Sequence, residues 1–385
     1  MSEHKGPDLK QVNERMRGLM ARTTHGRDDF EDLVIVPLFA VVVALVFGAL
    51  IMLATAVDLP TIGRSFVALA VGSVGSLSAW SETLTASIPL VLAGLGLGLG
   101  FRAGLFNIGA EGQLLVGGLA AVIAGFSFAG LPWIIHLPVT LLVGALVGAL
   151  YAAIAGFLKA TTGAHEVIST IMLNLISYRL LDWLLRQPFI QREGRSDPIS
   201  RNVADSATLP RILDFIDVNL RLHAGIFVML AAVALVWWML FRSKIGFAFR
   251  ASGENPDAAN YAGMNSAFII VLAMGTAGAL AGLAGATQVT GVLGRASPGF
   301  SAGIGFDAIA VALLGRSHPI GILFAGILFG ALEAGGRQMQ VQAGVSIDLI
   351  GIIQALIIIF IAAPLLVRAI FPWGFKKRTK RVGDA

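Results

Sequence analysis

Cysteine is absent from all 385 residues. That removes disulfide frames, thiolate nucleophiles and iron–sulfur ligation, and it leaves the redox compartment open. Charge is scarce: 13% of residues are Asp, Glu, Lys or Arg, against about 25% in soluble domains, too few to cover an ordinary water-exposed surface. No Gly-Lys pair occurs, so the chain has no phosphate loop in which to hold ATP itself. The histidines are scattered, and His165–Glu166 lacks the second histidine of a zinc-protease helix; no metal site or other cofactor is expected. Without a nucleophile–base pairing, no catalytic residue is assigned, and the chain reads as a non-enzyme. Gly98, Gly100 and Ala103 match a dinucleotide fingerprint in spacing alone, at the end of an apolar run with no βαβ unit around it. Close helix packing explains those glycines.

What remains is apolar. Hydrophobic residues make up 56% of the chain, and mean hydropathy is +0.81. They fall in runs of roughly 17 to 25 residues, each able to cross a bilayer as a helix. The expected fold is an all-α polytopic membrane protein of about eight to ten transmembrane helices, at least one broken or re-entrant. The runs lie near 33–57, 84–100, 111–130, 133–158, 167–185, 225–241, 267–285, 306–335 (broken) and 347–370. The net charge of +5 is no nucleic-acid signal, because Lys376, Lys377, Arg378, Lys380 and Arg381 closely follow an apolar run, as at a cytoplasmic end. Residues 1–32 mix both charge signs and read as a solvated cytoplasmic segment without a cleavable signal. The expected layout is therefore a membrane domain over 33–371 and a basic cytoplasmic tail over 372–385. Counting crossings from a cytoplasmic N-terminus puts the Pro-broken, mixed-charge stretch 186–222 outside and the basic stretch 242–264 inside.

Four segments carry polar residues where lipid would exclude them. In GLFNIGAEGQLLVGG (104–118), Asn107, Glu111 and Gln113 lie beside Gly104, Gly109 and Gly112, which would break the helix in a buried or wet place. In GAHEVISTIMLNLISYRLL (163–181), Glu166, Thr170 and Asn174 recur every four residues, on one helical face with Tyr178. That stripe either lines a cavity or hydrogen-bonds a neighbouring helix. FDAIAVALLGRSHPIG (306–321) is interrupted by Gly315 and Pro319 and carries Asp307; paired broken spans point to a midplane site, and a structural hairpin is the alternative. GENPDAANYAGM (253–264) opens a short helix at Asn255–Pro256, whose small side chains suit either a groove on another protein or an inert connector.

In combination, NIGAEGQ, EVISTIMLN, GENPDAANYAG and FDAIAVALLGRSHPIG resemble the permease subunits of nucleoside and simple-sugar ABC importers, within the branched-chain amino-acid permease superfamily. The resemblance covers about residues 84–366. No Ile-Asp-Leu-Ser-Val-Gly signature of the ribose-type branch is present, which favours the nucleoside branch. The resemblance implies a path for nucleosides worked by alternating access, a cytoplasmic ABC ATPase, a second permease subunit of the same or another kind, and an extracytoplasmic solute-binding protein. It assigns Gly253, Glu254, Asn255, Pro256, Ala259 and Gly263 to a helix coupling to the ATPase. Asn107, Glu111, Gln113, Glu166, Thr170, Asn174 and Asp307 become candidates for the translocation path. Two other readings are a permease for simple sugars and a stand-alone ion-coupled carrier using Glu111, Glu166 and Asp307 as ion-binding groups.

Overall fold

The computed structural model describes residues 36–346 and 348–362; the mixed-charge N-terminal segment and the basic tail lie outside the described residues. By internal contacts the chain divides into two units, residues 56–351, and residues 1–55 with 352–385. In the second, α1 (Val36–Ala54) is an apolar helix whose Phe47 ring lies 5.6 Å from that of Phe360.

The larger unit runs through α2 (Leu59–Val74), α3 (Leu77–Arg102), α4 (Ala110–Ser127), α5 (Trp133–Thr162), α6 (Glu166–Leu184) and α7 (Gly225–Arg242). It continues with α8 (Lys244–Glu254), α9 (Pro256–Tyr261), α10 (Ser266–Gln288), α11 (Ile304–Leu314) and α12 (Pro319–Ala343). A last helix, α13 (Asp348–Ala362), begins in this unit and continues into the other. Among the described residues, seven helices are long and apolar enough to cross a bilayer: α3 to α7, α12, and α10 with its π-helical extension to Leu293. Three shorter apolar stretches, 41–54, 59–74 and 304–314, add to them. The all-α polytopic fold expected from hydropathy is present.

Small residues set the packing. α5 and α10 run against each other along Gly144, Gly148 and Ala152 on one side and Gly278 and Gly282 on the other. A Cβ on Gly148 would lie 2.5 Å from the Gly278 carbonyl oxygen. Such four-residue spacing lets backbones approach where lipid offers no hydrophobic drive. α3 is almost wholly buried along its length, and α2, α7, α10, α11 and α12 pack around it.

One departure from expectation and two expected breaks matter. First, α2 is unforeseen: Asp58 caps it by accepting from the Thr61 amide at 3.3 Å, and Pro60 occupies its first turn. With two helices ahead of α3 where one crossing was counted, the count no longer fixes the side of the N-terminus. Second, the break expected around Gly104 and Gly109 is present, with turns and non-helical backbone over 103–109 before α4 begins. Third, the broken stretch resolves into α11, a tight turn and α12; Arg316 and Ser317 in that turn both have φ of +52°. The Arg102 Nε–H donates to the Ser317 carbonyl at 3.1 Å and ties this turn to the end of α3.

The long stretch 186–222 holds little regular structure, yet it is anchored. The Ala204 amide donates to Gly125 O at 2.9 Å, Val203 N–H to Gly294 O at 2.8 Å, and Leu209 N–H to Thr290 O at 3.0 Å. It covers the ends of α4 and α10 as a lid held by backbone bonds.

Candidate functional site

The non-helical stretch before α4 leaves backbone groups that cannot be abandoned in a membrane interior. The polar face of α6 answers them one turn at a time. Glu166 Oε1 accepts from the Phe106 amide at 3.3 Å, and Thr170 Oγ1 accepts from the Ile108 amide at 3.3 Å. Asn174 Oδ1 accepts from the Gly112 amide at 2.8 Å, while its Nδ2 donates to the Ile108 carbonyl at 2.9 Å. Lys159 neutralises Glu166 at 2.5 Å. Asn107 and Gln113 exchange amide hydrogen bonds at 3.1 Å, and Asn107 Oδ1 also takes the Gly109 N–H. Asn107, Gln113, Glu166, Thr170 and Asn174 are buried, and Lys159 is partly exposed.

One turn further along α6, Tyr178 donates to Glu111 Oε1 at 3.1 Å. The same carboxylate accepts from the Ser301 hydroxyl and, at Oε2, from the Gly305 N–H at 2.8 Å. Gly305 is in the first turn of α11, and a Cβ there would overlap the Glu111 backbone. Two interrupted crossings therefore meet at one carboxylate. Each is a non-helical stretch of turns and loop followed by a helix, 103–109 before α4 and 294–303 before α11. Each helix starts at the meeting point, where its free N–H groups and dipole favour an anion. Asp307, also in the first turn of α11, donates its backbone N–H to the Gly303 carbonyl at 3.1 Å, and Glu333 and Glu111 are the charges that act on its carboxylate. Six of the seven expected path residues thus form one network, and Asp307 stands beside it.

The expected coupling residues lie at one end of the bundle. Ser243 caps α8 and Asn255 caps α9, its Oδ1 accepting from the Ala258 amide at 3.0 Å. Glu254, Asn255, Pro256 and Gly263 are exposed, and Ala259 is buried at 3%. Gly253 touches backbone: its Cα is 3.0 Å from where a Cβ on Gly104 would lie. The α8–α9 element thus rests on the first residues of the interrupted crossing.

Sequence patterning missed three features. Tyr261 at the end of α9 is 98% exposed. Phe241 is a hub at the same end of the bundle: the Arg102 and Arg250 guanidiniums lie 5.9 and 5.6 Å from its ring centroid, and His318 stacks on it at 5.3 Å. At the opposite end, Glu82 Oε2 holds both Arg221 and Arg337, each at 3.3 Å. Charged residues close to the ends of apolar runs were the only available signal for these contacts, and it does not pair residues far apart in sequence.

Residues 80–362 match the family model for the permease component of branched-chain amino acid transport systems. The chain is 39% identical over 336 residues to a guanosine ABC transporter permease of Bacillus subtilis, covering 87% of this chain and 94% of that one. It is 34% identical over 343 residues to a nucleoside ABC transporter permease of Lactococcus lactis, covering 88% and 93%. Over 332 residues it is 35% identical to a glucose ABC transporter permease of Haloferax volcanii, covering 84% and 86%. No solved structure matches it. With its apolar helices and this coverage, the chain belongs to the branched-chain amino acid transport permease family, as a multi-pass membrane subunit of an ABC transporter.

Proposed function

We propose that this chain forms the translocation path of an ATP-driven nucleoside importer, working by alternating access. The carrying observation is the seat of α8–α9 on Gly104: a force on Glu254, Asn255 and Pro256 reaches residues 103–109 through the backbone contact of Gly253. Its first residues continue from the last turn of α3, where the Ala103 and Leu105 amides both donate to the Gly100 carbonyl at 2.9 Å. Beyond that it hangs on the α6 stripe and leads straight into α4 and Glu111, so a small displacement can be passed to both interrupted crossings. Gly253, Glu254, Asn255, Pro256, Ala259 and Gly263 then form the coupling element within a cytoplasmic loop 242–264, and 186–222 faces the extracytoplasmic side. Partners are a cytoplasmic ABC ATPase, a second permease and a solute-binding protein. Asn107, Glu111, Gln113, Glu166, Thr170, Asn174 and Asp307 flank the path, and their neutral amides and hydroxyls suit an uncharged, hydrogen-bonding cargo.

The nucleoside reading is supported by identity to guanosine and nucleoside permeases. The glucose permease of similar identity sustains a sugar as the second reading. The test purifies the tagged chain with whatever accompanies it and measures radiolabelled guanosine uptake into proteoliposomes containing ATP. Guanosine uptake outcompeted by other nucleosides and not by glucose supports the proposal; the reverse selectivity overturns the cargo. Uptake that ignores ATP and follows an ion gradient overturns the transport class. Substituting Glu254 or Asn255 is expected to abolish uptake while the protein still inserts and folds.

A further inference from the structure

We infer that the cavity at the Glu82 end of the bundle is a receiving site for a neutral, hydroxyl-bearing solute, with Glu82, Arg221 and Arg337 closing its floor as an ionic gate. The cavity has a volume of about 340 Å³ and is lined by Ser76, Ser78, Glu82, Arg221, Arg337 and Gln338, within the usual size of small-molecule sites. Adjoining it is a smaller space of about 40 Å³, lined among others by Thr85, Gln288, Glu333 and Ile304. Glu82, Arg221 and Arg337 line both spaces. Ile304 adjoins Gly305, whose amide bonds Glu111. The ion pairs therefore stand where the two spaces adjoin, and the smaller one reaches Ile304 beside the junction of the two interrupted crossings.

The construction suits a gate. One carboxylate oxygen holds two guanidiniums, one on α12 and one at the end of the 186–222 lid. The lid end is pinned next door, where the Leu222 amide donates to Ser81 Oγ at 2.9 Å. Arg337 is shared with Glu333 at 3.8 Å, so charge is balanced two against two. All three gate side chains keep part of their surface exposed, 25% for Glu82 and about 40% for the arginines. Partly wet pairs contribute little each, so an arriving solute can replace them at small cost. Carboxylates accept from sugar hydroxyls, and guanidiniums donate to carbonyl and ring-nitrogen acceptors of a base. A pair needed only to hold helices together has no reason to stand where two spaces adjoin.

The gate rests on the permease assignment alone; the identity of the solute rests on the nucleoside proposal. Because the chain has no cysteine, single cysteines can report access directly. In the assembled transporter in intact cells, Ser78→Cys in the outer cavity should react quickly with a membrane-impermeant maleimide. Thr85→Cys in the smaller space should react about fivefold more slowly or less, and Glu82→Gln or Arg337→Gln should each raise its rate towards that of Ser78→Cys. Rates are compared in protein that co-purifies with its partners, so that a misfolded variant is not counted. Equal reactivity of the two cysteines with the gate intact, or a Thr85→Cys rate unmoved by both gate variants, overturns the gate. Labelling of Ser78→Cys only after permeabilisation overturns the receiving role. Guanosine should slow Ser78→Cys labelling; protection by glucose alone refutes the nucleoside proposal and leaves the gate standing, and protection by neither refutes the receiving site.

Discussion

Glu111 gathers three donors from three parts of the chain: Tyr178 on α6, Ser301 in the turns before α11, and the Gly305 amide on α11. It is fully buried, so each donor left alone would be expensive. Glu111→Gln keeps the shape but turns an NH2 group towards donors, and a loss of about 2–4 kcal/mol is expected. Tyr178→Phe removes one donor and leaves the carboxylate two others, a loss of about 1 kcal/mol. Thermal or denaturant unfolding of the purified protein in detergent would rank the two. A Glu111→Gln protein as stable as the parent would mean that the carboxylate is held for transport and not for the fold.

At the scale of elements, the α5–α10 seam has the least room for change. Gly282→Leu would drive a branched side chain into the backbones of α5 and α4, since a Cβ on Gly117 already meets Gly282. Its expected result is loss of folded protein from the membrane, whereas Gly351→Leu, with open space at its Cβ position, should be tolerated; membrane yield by gel-filtration fluorescence distinguishes them. The spans of α3 to α7, α10 and α12 were legible because long apolar runs in lipid have one solution. α2 was not: its 16 residues carry Arg64 and fall short of a full crossing, although Asp58 and Pro60 mark its start. The face shared by Glu166, Thr170, Asn174 and Tyr178 was legible from spacing alone. Its partner, the backbone of 106–112, was not, because periodicity describes one helix and carries no information about what lies opposite. The Glu82 gate was invisible for the same reason.

Across the whole molecule, the lid bears a pH dependence. His223, at the base of the lid and 1% exposed, accepts from the Gly225 amide at Nδ1, which puts its proton on Nε2. Burial, with Arg221 nearby adding to it, pushes its pKa down to about 4 from 6.5. The unfolded chain therefore binds a proton that the folded one refuses between these values. Stability should be level above pH 6.5, fall as pH drops towards 4 and lose roughly 3 kcal/mol across that window. His223→Gln should flatten the profile between pH 7 and 4; an unchanged slope would assign the acid sensitivity to other groups.

The Glu111 junction also sets a timetable for synthesis. Its α6 partner is separated from it by 67 residues, whereas Ser301 and Gly305 follow by 190 and 194. A ribosome feeding this chain into the membrane delivers the carboxylate long before two of its three donors exist. Until α11 arrives, Glu111 has to be sheltered by the insertion machinery or by water, since lipid cannot solvate it. The late third of the chain is thus what releases the early third from its escort, and truncations ending before residue 301 should be cleared by membrane quality control even though every earlier helix is intact.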